Sequence, residues 1–178
     1  MNIGIIGPTK PKWSKKLFGF VEGTAEILAE EGHSVVLTPD EGSTAEYFAK
    51  AFQKAGGKVI GVIPFKDREW GYEWLDLKAC SQTIDCETWR NLPETLVGNS
   101  DILIAFGLSP GTMIELCYTK WFEVKKILYF KQFGSRLPKE IEKIIPIKYI
   151  SSLKELEKEI KRLSFTEFEG EKKKCFQD

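Results

Sequence analysis

Short apolar runs alternate with amphipathic stretches along nearly the whole chain. Residues 2–7 (NIGIIG) form a continuous apolar run closed by Gly7-Pro8, the pattern of a strand buried on both faces. Ser14 is placed to cap a helix reaching Glu31, with Leu17, Phe18, Val21, Ala25 and Leu28 at near-helical spacing and Gly32 where a C-terminal glycine belongs. Further strands are predicted at 34–38, 58–63, 101–106, 126–130 and 146–150, and helices at 43–55, 86–98, 112–122, 138–143 and 151–163. The helix over 86–98 is expected to be capped by Asp85 or Ser81. Residues 64–84 carry Phe65, Trp70, Tyr72 and Trp74 without a clear period and read as a long loop. Strands alternating with helices define an α/β class. The topology predicted is one doubly wound, Rossmann-like, mostly parallel sheet of about six strands with helices on both faces. Residues 1–163 form this domain and 164–178 a polar tail.

Composition narrows the function. The 178 residues include 26 basic and 26 acidic side chains, a formal net charge of zero. That balance argues against nucleic acid as the main partner, because a phosphate backbone demands a basic face. No run of about 18 apolar residues exists to span a membrane. The N-terminus lacks a basic leader, so a soluble, cytoplasmic protein is expected. Cys80, Cys86, Cys117 and Cys175 form no C-x2-C pair, and His33 is the one histidine, so no metal site and no disulfide is predicted. His33 itself is expected at the surface or a strand edge.

In an open parallel sheet, ligands bind beyond the carboxyl ends of the strands, where strand order reverses. Three loops qualify: Gly7 to Lys10, Pro39 to Thr44, and Gly107 to Thr112. The first offers Gly7 and Thr9. The third offers Gly107, Ser109, Pro110, Gly111 and Thr112, with Gly111 permitting close backbone approach and Thr112 opening a helix whose N–H groups attract an anion. Glu115 follows Thr112 by one turn. Two readings of that spacing stand: a T-x-x-E capping box, or a carboxylate bordering a ligand pocket. Trp70, Tyr72 and Trp74 either stack on a base or pack on the domain.

The stretch Leu108-Ser109-Pro110-Gly111-Thr112-Met113-Ile114-Glu115 resembles the G-G-x-G-T-x-x-E signature of the SLOG group of Rossmann-like proteins. Thr38 to Pro64 with its Ala55 to Pro64 segment, Leu28 to His33, and Arg90-Asn91 ahead of Ser100-Asp101 match the same group. The group includes the Lonely Guy phosphoribohydrolases and the molybdenum-cofactor carriers. The resemblance implies a nucleotide or other small phosphorylated ligand, no cofactor, and dimers formed through helices beside the site. It further implies cleavage of the N-glycosidic bond of nucleoside 5′-monophosphates. In that activity Gly111 and Thr112 would hold the phosphate, Glu115 would stabilise the oxocarbenium-like sugar or orient water, and Arg90 would be the paired basic residue.

This chain departs from the pattern at defined places. Leu108 and Ser109 replace two signature glycines, and Pro39-Asp40-Glu41 stands where the group has a triple glycine. Two carboxylates beside an anion site favour an altered ligand or a non-catalytic carrier or sensor. Lysine decarboxylation, which needs a pyridoxal phosphate Schiff-base lysine, has no supporting motif.

Overall fold

A computed structural model describes residues 1–67 and 71–175, with side chains as far as residue 165. The elements follow the alternation in the sequence: β1 (Asn2–Ile6), α1 (Lys15–Glu30), β2 (Ser34–Leu37), α2 (Thr44–Lys54), β3 (Lys58–Ile63), β4 (Gln82–Asp85), α3 (Leu92–Gly98), β5 (Ile102–Ala105), α4 (Pro110–Tyr118), β6 (Lys126–Phe130), α5 (Lys139–Glu142), β7 (Ile147–Ile150) and α6 (Leu153–Cys175). The strands form one parallel sheet in the order β4-β3-β2-β1-β5-β6-β7. Strand order reverses between β1 and β5, which fixes the crevice where a ligand belongs.

Period-two alternation sorts the strand side chains between two cores. Ile3, Ile5, Val35, Leu37, Ile102 and Ile104 face α1, α2 and α6, whose Leu28, Phe48, Phe52, Leu156 and Ile160 complete that layer. Ile6, Val36, Val62, Leu103 and Ala105 face the other way, against Leu92, Leu96 and Val97 of α3 and Leu116 of α4. Both faces are covered, as an all-parallel sheet requires.

Local chemistry sets the boundaries. Ser14 caps α1 by accepting from Leu17 N at 3.1 Å, and Gly32 takes the left-handed conformation (φ +72°) after the helix. Ser43 likewise caps α2, accepting from Glu46 N at 3.0 Å.

The elements differ from the expectation in three places. The seventh strand, β4, lies inside the predicted loop and pairs with β3 as an exposed edge strand. The helix predicted over 86–98 begins only at Leu92, behind Asn91. Asp85 therefore ends a strand and caps no helix, and Glu87 adopts φ +66° in the turn between. Finally, the helix predicted to stop near 163 continues to Cys175. His33, expected at the surface or a strand edge, lies immediately before β2 and is buried, with its Nε2 3.3 Å from Ser164 Oγ on α6.

Candidate functional site

Loops at the carboxyl ends of β1, β2 and β5 converge on one cavity of about 360 Å³. Thr44 ties two of them together: its N–H and Oγ1 both donate to Pro8 O, at 3.3 and 3.2 Å. The third loop is held by Gly107, whose φ of +126° lets its backbone pass under Phe133 O.

The helix after β5 starts one turn earlier than Thr112. Ser109 is the cap of α4, accepting from Thr112 N at 3.2 Å, while its Oγ lies 2.9 Å from Thr112 Oγ1. The T-x-x-E box is thereby excluded, and Thr112 sits buried in the first turn instead of opening it. The consequence for anion binding is direct. Pro110 has no N–H and the Thr112 N–H is already used, so the first turn leaves the Gly111 N–H as its outward donor. Ser109→Ala is expected to lower stability by about 1 kcal/mol through loss of the cap, measurable by urea unfolding.

Glu115 lines the cavity together with Asp40 from the loop after β2. Ile5, Ile6, Ala45, Leu92, Pro93 and Leu96 supply much of the wall. Burial among them, and secondarily the nearby Asp40 carboxylate, push the Glu115 carboxyl up to about 8. Burial raises Asp40 to about 6. Burial thus favours the protonated form of both carboxyls, and of Glu115 more than of Asp40. No lysine or arginine is among the described residues lining this cavity.

The predicted ligand residues are largely gathered here. Gly7, Thr9, Ser109, Pro110, Gly111, Thr112 and Glu115 all line the cavity, whereas Gly107 shapes the loop beneath. Arg90 is exposed, one residue before the α3 cap, and does not line it; its neighbour Trp89 does.

Through Thr9, Asp40 and Trp89 the cavity opens into a wider cleft of about 610 Å³, also lined by Lys10, Glu41 and Trp74. Glu41 N donates to Trp74 O at 2.7 Å and Asp76 N to Pro39 O at 2.9 Å, so the aromatic segment is stitched to the loop after β2. Gly71 makes this close packing possible: a Cβ there would lie 2.9 Å from Trp74 and 3.5 Å from Trp89. Of the aromatic candidates, Trp74 faces the cleft and Tyr72 contacts Phe65 with ring centroids 6.0 Å apart. Trp70 lies outside the described residues.

Sequence reasoning missed Trp89 as a wall residue. It also did not pair Asp40 with Glu115, which follow β2 and β5, the two strands that flank β1. Cys80 and Cys86 are no substitute nucleophiles, since burial pushes both thiols up to about 11. Among the described residues no His/Cys/Asp/Glu cluster suits a metal, and no helix is long and apolar enough to cross a membrane.

A doubly wound parallel sheet with a ligand-sized cavity at its switch point defines a Rossmann-like ligand-binding domain. The chain belongs to the SLOG cluster4 family, whose model matches residues 1–157. No curated protein matches the sequence. Solved structures of the same fold include the molybdenum cofactor carrier protein of Chlamydomonas reinhardtii, 19% identical with a TM-score of 0.71, covering 91% of this chain and 96% of that one. The molybdenum cofactor binding protein of Rippkaea orientalis has 19% identity and a TM-score of 0.72, with 91% and 96% covered. DNA processing protein A of Helicobacter pylori, described for its single-stranded DNA binding mode, has 13% identity and a TM-score of 0.61, with 91% and 80% covered. At these identities the likeness is one of fold.

Proposed function

We propose that the protein binds a small phosphorylated heterocyclic compound, of nucleotide or pterin type, and holds it as a carrier or sensor without cleaving it. The observation that carries this reading is the pairing of Glu115 with Asp40. A phosphoribohydrolase of the Lonely Guy type would set a guanidinium against the glutamate; here a second carboxyl occupies the cavity and Arg90 lies outside it. Trp74 and Trp89 offer faces for a flat ring, and Asp40 and Glu41 offer acceptors for its N–H edge. The carrier and cofactor-binding proteins that share the fold add support by analogy. Exposed Ile114 and Trp121, on and just after α4, supply apolar surface for the pairing of two chains beside the site.

One observation favours a second reading, an N-glycosidase. Two carboxyls whose proton affinities are drawn apart, to about 6 and about 8, can serve as base and acid for hydrolysis. Incubation of the protein with a panel of nucleoside 5′-monophosphates and a pterin phosphate, followed by chromatography, separates the two. Saturable binding with every compound recovered intact is the expected result. Base release that disappears in Glu115→Gln would replace the carrier reading with the hydrolase.

A further inference from the structure

The two carboxyls of the switch-point cavity are acceptors without donors. Asp40, after β2, and Glu115, on α4, form no side-chain hydrogen bond or ion pair with a described residue. Their oxygens nevertheless keep surface open to the cavity they line, so a ligand can meet them there. Withdrawing an acceptor from bulk water without giving it a donor is costly, and a ligand that brings N–H groups offsets that cost.

The donors around this pair, by contrast, are largely spent. Thr38 Oγ1 donates to Val62 O at 3.2 Å, and the Ser109 and Thr112 hydroxyls lie 2.9 Å apart, one donating to the other. Pro110 has no N–H, and the Thr112 N–H goes to Ser109 Oγ. An anion at the start of α4 would thus find the Gly111 N–H and face two carboxyls. Among the described residues lining the cavity and the wider cleft, Lys10 is the one cation, and it stands in the cleft with Trp74. Thr9, Asp40 and Trp89 line both spaces and form the passage between them.

We propose that the ligand enters this cavity ring first, presenting a ring N–H beside an exocyclic amino group, the 2-amino-4-oxopyrimidine edge common to guanine and pterins. Asp40 accepts the ring N–H and one amino hydrogen, as the two oxygens of a carboxylate suit two parallel N–H groups. Glu115 accepts the other amino hydrogen, and Trp89 flanks the ring in the passage. The phosphate then points outward past Trp74 towards Lys10, opposite to the orientation in which Gly111 and Thr112 would hold it. A carbonyl in place of the amino group, as in lumazine, sets oxygen against oxygen; hypoxanthine, with no group there, leaves an acceptor unmet. This assignment rests on the reading of a phosphorylated heterocyclic ligand given above, and the two fail on different outcomes.

Guanosine, inosine, adenosine, GMP, IMP, pterin and lumazine are titrated into the wild type, Asp40→Asn, Glu115→Gln and Trp74→Ala. Guanosine is expected to bind at least about tenfold tighter than inosine, or pterin than lumazine; a preference within one pair alone identifies that ring as the source of the edge. Asp40→Asn should bring the ratio below about threefold, whereas Trp74→Ala should weaken both members of a pair by the same factor. The phosphate of GMP should change affinity less than about tenfold relative to guanosine, and less again at high salt. Equal binding of GMP and IMP that Asp40→Asn leaves unchanged would overturn the edge and keep the phosphorylated ligand. GMP binding without measurable guanosine binding would overturn the orientation and likewise keep that ligand. A preference for adenosine that disappears in Glu115→Gln would also overturn the edge. Guanosine or pterin held through Asp40, with GMP excluded, would keep the edge and remove the phosphorylated ligand. Binding of none of these compounds overturns both, and the wild-type ratios decide even where a variant fails to fold.

Discussion

Glu115→Gln is expected to raise the melting temperature at pH 8.5 by about 5–10 °C and to change it little at pH 4.5. The carboxyl is held up to about 8 in the folded protein, against an ordinary value of 4.5. Between those values the folded chain keeps a proton that the unfolded chain has released. Stability therefore falls as pH rises through this window, by at most about 1.4 kcal/mol for each pH unit. Solvent reaching the carboxyl from the cavity reduces the total to on the order of 2–4 kcal/mol. Asp40 acts in the same sense between 3.8 and about 6. A glutamine keeps the shape and carries no charge, so the variant should show a flat profile above pH 6. Thermal melts of both proteins from pH 4.5 to 9 test this; parallel curves would mean that Glu115 is not the buried acid described. A gain in stability from removing an ionisable group at the site is what a residue serving ligand chemistry should give.

Gly107→Ala carries the other large effect. At φ +126° an alanine is strained, and its Cβ would stand 2.7 Å from Phe133 O, a backbone atom with little room to give. A loss of about 2–4 kcal/mol is expected in urea unfolding. Gly111→Ala in the same loop gives a sharp contrast, because its nearest neighbour would be Ser109 Oγ at 3.9 Å. That change should shift stability by less than about 1 kcal/mol, most plainly upwards since Gly111 is helical. Equal losses in the two variants would contradict the loop geometry.

The Rossmann-like sheet was legible because its central strands are short apolar runs bounded by glycine and proline, and because Ser14, Ser43 and Gly32 mark helix ends by local chemistry alone. β4 was not. Its Gln82-Thr83-Ile84-Asp85 has one apolar residue on an exposed edge, so pairing with β3 specifies it where patterning cannot. The late start of α3 escaped for a related reason: Glu87 breaks the helix by a left-handed turn that no glycine announces. At the site, the gathering of Thr9, Ser109, Gly111 and Glu115 followed from loop position along the strands. The Asp40–Glu115 pair did not, because it depends on β2 and β5 flanking β1 in the sheet. The cap of α4 was displaced by three residues because Ser109 and Thr112 are both good caps, and Pro110, fitted to the first helical position, decides between them.

The strand order has a consequence for how the chain acquires its structure. β1 pairs with β2 and with β5, and the second pairing joins segments far apart; Asn2 N donates to Asp101 Oδ2 at 2.6 Å across 99 residues. During synthesis β1 to β4 can assemble first, leaving one side of β1 without a partner until β5 emerges. Such non-local parallel pairing slows folding and exposes an apolar strand edge meanwhile. The nascent N-terminal half is thus the stage most prone to aggregation, and a chain ending before Ile102 should be recovered mainly from the insoluble fraction.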